Sequence, residues 1–367
     1  MKWLLKIIEA VRPNFEEGGK LRIFNPVFGA LEHFLFAPST RTIEAPHVRD
    51  PLDLKRVMSM VIISVVPCVL AAFYFFGLRF LAMTVVSYAA GLTVEAIFAM
   101  VRKEGINEGF FVTGILFPLI LPPNIPLWMV ALGVAFGVFI GKELFGGTGR
   151  NVFNPALVGR CFLSLAYPKT IAASWIEPSH ELVGGLRIWI GPSLDAVSGA
   201  TPLALAKQGE MGSIAHLLLG SVSGSAGETS ALLIIMGGVF LLFTRVANWR
   251  TVVSMLGSFV ILTGALVAVG AVSYPMPGVF NPVIWHLFAG GLLFGAFFMA
   301  TDPVTSPTTN VGKWFYGIII GSTTVLIRNF TGYVEGVTFA ILLGNIVAPI
   351  LDEIAAGIRI RRLRYEE

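Results

Sequence analysis

An all-α polytopic membrane protein, with about ten transmembrane helices in two inverted five-helix repeats containing broken helices, is the fold class this sequence predicts. Three observations carry that reading. Of 367 residues, 55% are hydrophobic and only 13% charged, with a mean hydropathy of +0.78, so charge is too sparse to cover a globular surface. The apolar residues come in repeated runs close to the length of a bilayer core. Lysine and arginine are dense and sparse in alternate links between those runs.

Residues 1–56 form a polar, basic lead-in without a span, and the amphipathic start Met1–Val11 is followed by no small-residue cleavage site, so no cleavable signal peptide is expected. The first membrane unit, 57–167, holds apolar segments at Val57–Phe76, Phe80–Met100, Phe110–Leu121, Leu127–Ile140 and Val152–Tyr167. A polar stretch, 168–229, separates it from the second unit, 230–354. That unit holds segments at Ser230–Phe243, Val252–Val272, Val283–Ala300, Trp314–Ile327 and Val334–Ile354, and a basic tail, 355–367, follows. With a cytoplasmic N-terminus, 20 of the 26 basic residues lie inside. Only Arg79, Lys169, Arg187, Lys207 and Arg328 lie outside, and Arg160 falls within a span. The bias predicts that both termini are cytoplasmic and that the stretch 168–229 faces outward.

Several segments are broken. Phe110–Leu121 runs into Pro122-Pro123-Asn124-Ile125-Pro126, and the eighth segment into Thr301-Asp302-Pro303. Irregular backbone at membrane depth is tolerated only where protein encloses it. The breaks align: Gly114-Ile115-Leu116-Phe117 precedes the first, Gly291-Leu292-Leu293-Phe294 the second. Beyond them, Trp128 and Lys142 are spaced as are Trp314 and Arg328. Spans 1–5 therefore match spans 6–10, and an odd number of spans per unit makes the repeat inverted, with a central site expected at the paired breaks.

Charges inside spans are costly and point to function. Glu95, Arg160, Asp302 and Asp352 are such groups, the three acids being candidates for an ion pathway and each also readable as a structural ion pair or helix-end group. The glycine-rich Gly146–Pro155 opens the fifth span, where Asn151 and Asn154 offer amides to a polar heterocycle rim. In the outward stretch, Asp195–Ala204 holds Ser198-Gly199-Ala200-Thr201-Pro202, whose small residues leave the Thr201 oxygen open to a bulky partner. No basic patch interleaved with aromatics suggests nucleic acid. Cys68 and Cys161 fall in apolar spans and the five histidines are scattered, so no disulfide, metal cluster or nucleophilic triad is assembled.

The chain resembles the B subunit of the Na+-translocating NADH:quinone reductase, the Nqr complex. The resemblance is carried by Asn14-Phe15-Glu16-Glu17-Gly18-Gly19-Lys20, His47-Val48-Arg49-Asp50 with Asp53-Leu54-Lys55-Arg56, and Asn107 to Thr113. It continues through Lys142-Glu143 to Pro155, Ser198 to Thr201, Met299-Ala300-Thr301-Asp302-Pro303 and Pro349-Ile350-Leu351-Asp352. The D subunit of the Rnf electron-transport complex is a sister family sharing Ser-Gly-Ala-Thr; the N-terminal motifs favour Nqr. The resemblance implies FMN held on Thr201 through a phosphoester made by a separate flavin transferase, in surroundings that include Asp195, Ser198, Gly199, Ala200 and Arg160. It implies non-covalent riboflavin near Thr113, Asn151 and Asn154, quinone near Gly91 and Leu92, and Na+ handling by Glu95, Asp302 and Asp352. It further implies assembly with the A, C, D, E and F subunits in a bacterial inner membrane, electrons passing from FMN through riboflavin to quinone. Two departures stand out: Gly29 replaces an acid of the well-known bacterial members, and the link between spans 1 and 2 is short. A non-redox ion transporter or channel is the rival reading, since broken inverted repeats and buried acids serve it equally.

Overall fold

The computed structural model describes residues 9–15, 19, 28, 54–102, 109–178, 200–333 and 335–366. Among them the chain is helical and strand-free. The first long helix, α1, runs over Leu54–Arg102, 49 residues. At 1.5 Å per residue that is about 74 Å, more than twice a bilayer core. It is in fact two arms, because Gly77 has φ 60 and ψ −142, a left-handed backbone that glycine adopts without a Cβ clash. The expected first two spans lie on either side of it, joined without a loop.

After α1 come α2 (Gly109–Leu119), α3 (Leu127–Gly141), α4 (Pro155–Ala166) and the short α5 (Pro168–Ala173). Then follow α6 (Pro202–Lys207), α7 (Ile214–Leu219), α8 (Ala231–Phe243) and α9 (Trp249–Ala268). The second unit closes with α10 (Phe280–Phe288), α11 (Leu292–Phe294) running into a π turn at Gly295–Met299, α12 (Asn310–Phe330) and α13 (Val337–Glu366). By length and composition, four described helices can cross a bilayer, α1 counted once, and α10 with α11 adds a fifth as a pair bent by 65°. This is a multi-pass membrane protein. The ten apolar segments all appear as helices, but α2, α4 and α8 are shorter than a full crossing, and the eighth segment is bent rather than continuous.

Each break is closed by protein. Pro122 and Pro123 stop α2, leaving carbonyls without helical donors. The amide of Gly227 donates to Leu119 O (2.7 Å), that of Ala226 to Leu121 O (3.1 Å), and Asn124 N to Ser174 O (3.3 Å). Arg79 Nη2 donates to Ile125 O at 2.7 Å. In the second unit Asp302 accepts from Val304 N and Thr305 Oγ1, both at 3.1 Å. Asp352 on α13 accepts from the backbone amides and hydroxyls of both Thr308 and Thr309 at 2.6–2.9 Å. It thereby caps the entry to α12.

Helices meet along glycine seams, where close backbone approach replaces the hydrophobic drive that lipid removes. Gly133, Gly137 and Gly141 of α3 face Pro155 and Gly159 of α4; a Cβ on Gly137 would overlap the Pro155 carbonyl, and one on Gly159 the Gly133 carbonyl. Gly317 and Gly321 of α12 lie equally close to Ser254, Met255 and Ser258 of α9. In the first unit α3 packs between the second arm of α1 and α4; in the second, α12 packs between α9 and α13. That is the order a repeat requires. Long-range polar contacts also join segments expected on the same face: Arg102 with Glu143, and Asp352 with Thr308, on one side; Lys207 with Thr331, and Arg328 with Ala289, on the other. Gly137→Val separates α3 from α4, and detergent-solubilised protein is expected to elute as aggregate on fluorescence-detected size exclusion, where Gly257→Ala, with open space at its Cβ position, elutes as wild type.

Candidate functional site

Two clusters of polar groups stand apart in the bundle, named inner and outer after the faces that the basic-residue bias predicts. The inner one surrounds a pocket lined by Thr113, Asn151, Asn154, Lys142, Thr148 and Asp302 among apolar side chains. Few convergent polar groups on an apolar lining is the usual make-up of a small-molecule site. The α2 start supplies Thr113, the glycine loop supplies Thr148 and Asn151, and the N-cap of α4 is Asn154, whose Oδ1 accepts from Ala156 N at 3.0 Å. Among the described residues Asn154 Nδ2 has only the Met299 thioether, at 3.6 Å, a weak acceptor that leaves it able to donate elsewhere. Asn151 is more committed: its Oδ1 accepts from Gly149 N (3.2 Å) and its Nδ2 donates to Phe153 O (3.0 Å). Thr148 Oγ1 is buried without a partner among the described residues, so the cavity wall keeps a polar atom for an occupant. The three residues proposed for riboflavin and Asp302, 148 or more positions beyond them, thus share one cavity.

Lys142, on the same wall, donates from Nζ to Glu95 Oε1 at 2.5 Å, and both side chains are almost wholly buried. Glu95 Oε2 has no partner among the described residues. Next to it, Arg102 pairs with Glu143 at 2.7 Å. Gly91 lies on the seam between α1 and α2, where a Cβ would overlap the Phe110 ring, and Leu92 packs against the core. Both are therefore helix-packing positions beside the inner cavity's helices, and neither is among its lining residues. Asp352, with its oxygens engaged by four donors, is a helix cap.

The outer cluster centres on Thr201, which the sequence suggests is open and which is in fact 6% exposed. Pro202 begins α6 with Thr201 as N-cap, its Oγ1 accepting from Ala204 N at 3.3 Å, and this turns the residue inward. Lys207 ties α6 to the end of α12 through Thr331 O and Tyr333 O, each at 2.8 Å. Thr201 lines a narrow crevice with Gly224, Glu228, Gly290 and Glu335. A wider one of about 790 Å³ adjoins through Pro202 and Ser223 and includes Ala200, His216 and Trp285. Arg160 rises from α4 to this level. It donates from Nη1 to Glu228 Oε1 (3.1 Å) and from Nη2 to Glu335 Oε2 and to Ser225 Oγ (3.4 Å). Asp195, Ser198 and Gly199 lie outside the described residues.

The sequence reading missed Lys142, Thr148, Glu228 and Glu335 as site residues. Glu228 carried a signal, being the one acid in the small-residue run 220–230. Arg328 had one too, through its repeat match to Lys142; it donates to His286 O (2.8 Å) and Ala289 O (3.0 Å).

Residues 41–360 match the NQR2, RnfD, RnfE family. The chain belongs to that family. It is similar to the B subunit of the Na(+)-translocating NADH-quinone reductase of Azotobacter vinelandii, 38% identical with 97% of each chain covered. It is also similar to the B subunits of the same enzyme from Pseudomonas aeruginosa and Klebsiella pneumoniae, each 37% identical with 98% of each chain covered. The Azotobacter alignment runs over 407 positions, more than the 367 residues present, so that relative carries insertions that this family member lacks.

Within this family member the Lys142–Glu95 pair has a clear energetic signature. Removing one partner strands a buried charge, at a cost of about 3–5 kcal/mol, whereas removing both does not. Lys142→Met is therefore expected to lower the thermal midpoint of the purified protein far more than the double variant Lys142→Met/Glu95→Gln, a non-additivity read by a double-mutant cycle.

Proposed function

We propose that the chain is the membrane electron-transfer subunit of a Na+-pumping NADH:quinone oxidoreductase, working with the A, C, D, E and F subunits in the bacterial inner membrane. The near full-length likeness to the B subunits of that enzyme carries the reading. In it, FMN is attached by a flavin transferase to Thr201 Oγ1 on the outer face, riboflavin occupies the inner cavity, and quinone binds on the cytoplasmic side near Gly91 and Leu92. Bound flavins supply one-electron chemistry between a two-electron donor and quinone.

The chain's own residues fit this assignment. Thr201 places its oxygen between two cavities, and Gly224 presents open space on one wall. Trp285 is fully buried and fixed by donating to Gly212 O at 2.8 Å behind the wall of the wider cavity, where His216 is exposed. In the inner cavity Asn154 Nδ2 and Thr148 Oγ1 are the groups with hydrogen-bonding capacity to spare, and the Lys142 ammonium favours negative charge on an occupant. Asp302 and Glu95 are the acids we assign to cation handling; Asp352 acts by holding the 302–309 segment in place. The two halves are read as inverted repeats spanning 57–167 and 230–354, with 168–229 as the flavin-bearing outer stretch and both termini in the cytoplasm.

Covalent flavin gives a fluorescent band on a denaturing gel under ultraviolet light. Produced together with the transferase, the wild type is expected to show the band and Thr201→Val to lose it; an unlabelled wild type means a non-redox carrier instead. For the inner cavity, Asn154→Leu removes one hydrogen bond worth about 1–3 kcal/mol. Acid-extracted riboflavin is expected to fall about tenfold relative to protein, with the covalent band unchanged.

A further inference from the structure

The carboxylates of Glu228 and Glu335 meet below Thr201 in an arrangement that the assigned flavin and ion residues do not account for. Both accept from the one guanidinium of Arg160. Glu228 comes from the segment between α7 and α8, outside the spanning helices, drawn inward because Ala226 and Gly227 close the α2 break. Its side chain is only 2% exposed, and its Oε2 has no hydrogen-bond partner among the described residues while the residue lines the Thr201 cavity. The groups around it are few. Arg160 comes from α4, Ser225 from its own loop, Glu335 from the link before α13, Arg328 from α12 and His286 from α10, with Thr201 above. They converge on one break: a Cβ on Gly291 would overlap Glu228 Oε1, and one on Gly290 would lie 3.4 Å from Arg328 Nη2 and 3.5 Å from Glu335 Oε1.

We infer that Glu228 and Glu335 form a proton-binding site that holds one exchangeable proton, loaded from the outer cavity and linked to the charge of the group carried on Thr201. Glu228 Oε2 lies in the cavity wall without a partner among the described residues, and one carboxylate oxygen is all that a proton requires. Burial first, and then the Glu335 charge, push Glu228 up to about 8, against the pull of Arg160. Two carboxyls on one guanidinium cannot both shed their protons cheaply. The linkage rests on the proposed flavin at Thr201. Negative charge added at Thr201 would raise the midpoint of the pair, so that near that midpoint a fraction of a proton is drawn from outer water into an O–H bond on the pair and offsets part of the added charge.

The test is infrared difference spectroscopy of the purified complex, titrated with the flavin oxidised and then reduced. A protonated-carboxyl stretching band is expected to titrate near pH 8, to vanish in Glu228→Gln, to shift in Glu335→Gln and to persist in Glu228→Asp. Its midpoint is expected to rise on reduction. A wild type without the band, or a band indifferent to Glu228→Gln, overturns the site; an identical midpoint in both redox states overturns the linkage. Flavin attachment is read separately from the gel band, so a failed attachment leaves the titration of the pair measurable. Each variant's folding is checked by its elution on size exclusion.

Discussion

A bilayer core offers no hydrogen bonds, so a helix that breaks inside it must find donors and acceptors in its own protein. Much of what makes this chain chemically interesting follows from how its breaks are closed. The prolines after α2 leave carbonyls that the 226–227 amides satisfy, and this brings Glu228, the next residue, into the interior. The break after the π turn is closed by Asp302 and Asp352, and the same segment becomes a wall of the inner cavity. Both candidate sites are assembled where backbone accounting forced a loop inward.

Charge placement follows the same logic with larger energies. An isolated buried ion costs several kcal/mol even after relaxation. Lys142 with Glu95 and Arg160 with Glu228 and Glu335 meet that cost by pairing, while Asp302 is held by the Val304 amide and the Thr305 hydroxyl. Lysine serves at the inner site as a point charge on one carboxylate. Arginine serves at the outer one, where its planar fork spans two carboxylates from different parts of the chain. Among the described residues, the atoms near the cavities left without a hydrogen-bond partner include Glu95 Oε2, Thr148 Oγ1, Glu228 Oε2, His286 Nε2 and Arg328 Nε.

Much of the helical architecture could be read from the runs of apolar residues, because the bilayer dictates the length and composition of the spans. The breaks were legible as proline clusters. Thr113, Asn151 and Asn154 came as a set from the resemblance, and their sharing of a cavity with Asp302 is tertiary, the first break lying away from that cavity. Other features were not. The burial of Thr201 depends on Pro202 starting a helix against the end of α12, a tertiary contact through Lys207. Glu228 and Glu335 are separated by 107 positions and meet only through Arg160, so no local pattern announces them. Asp352 reads as a membrane acid in sequence, yet its oxygens serve four threonine donors; the distinction lies 43 residues away.

Arg160 has a mechanical consequence as well. It stands on a helix of the first half and grips Glu335 at the entry to the last helix of the second, while Asn154 on the same helix touches Met299 of the second half. Carriers that work by alternating access rock one half against the other. Here such rocking would strand a buried ion, at a cost of about 3–5 kcal/mol, and would leave the opened form below about one molecule in a hundred. The ion pair therefore opposes a change in the separation of the two cavities.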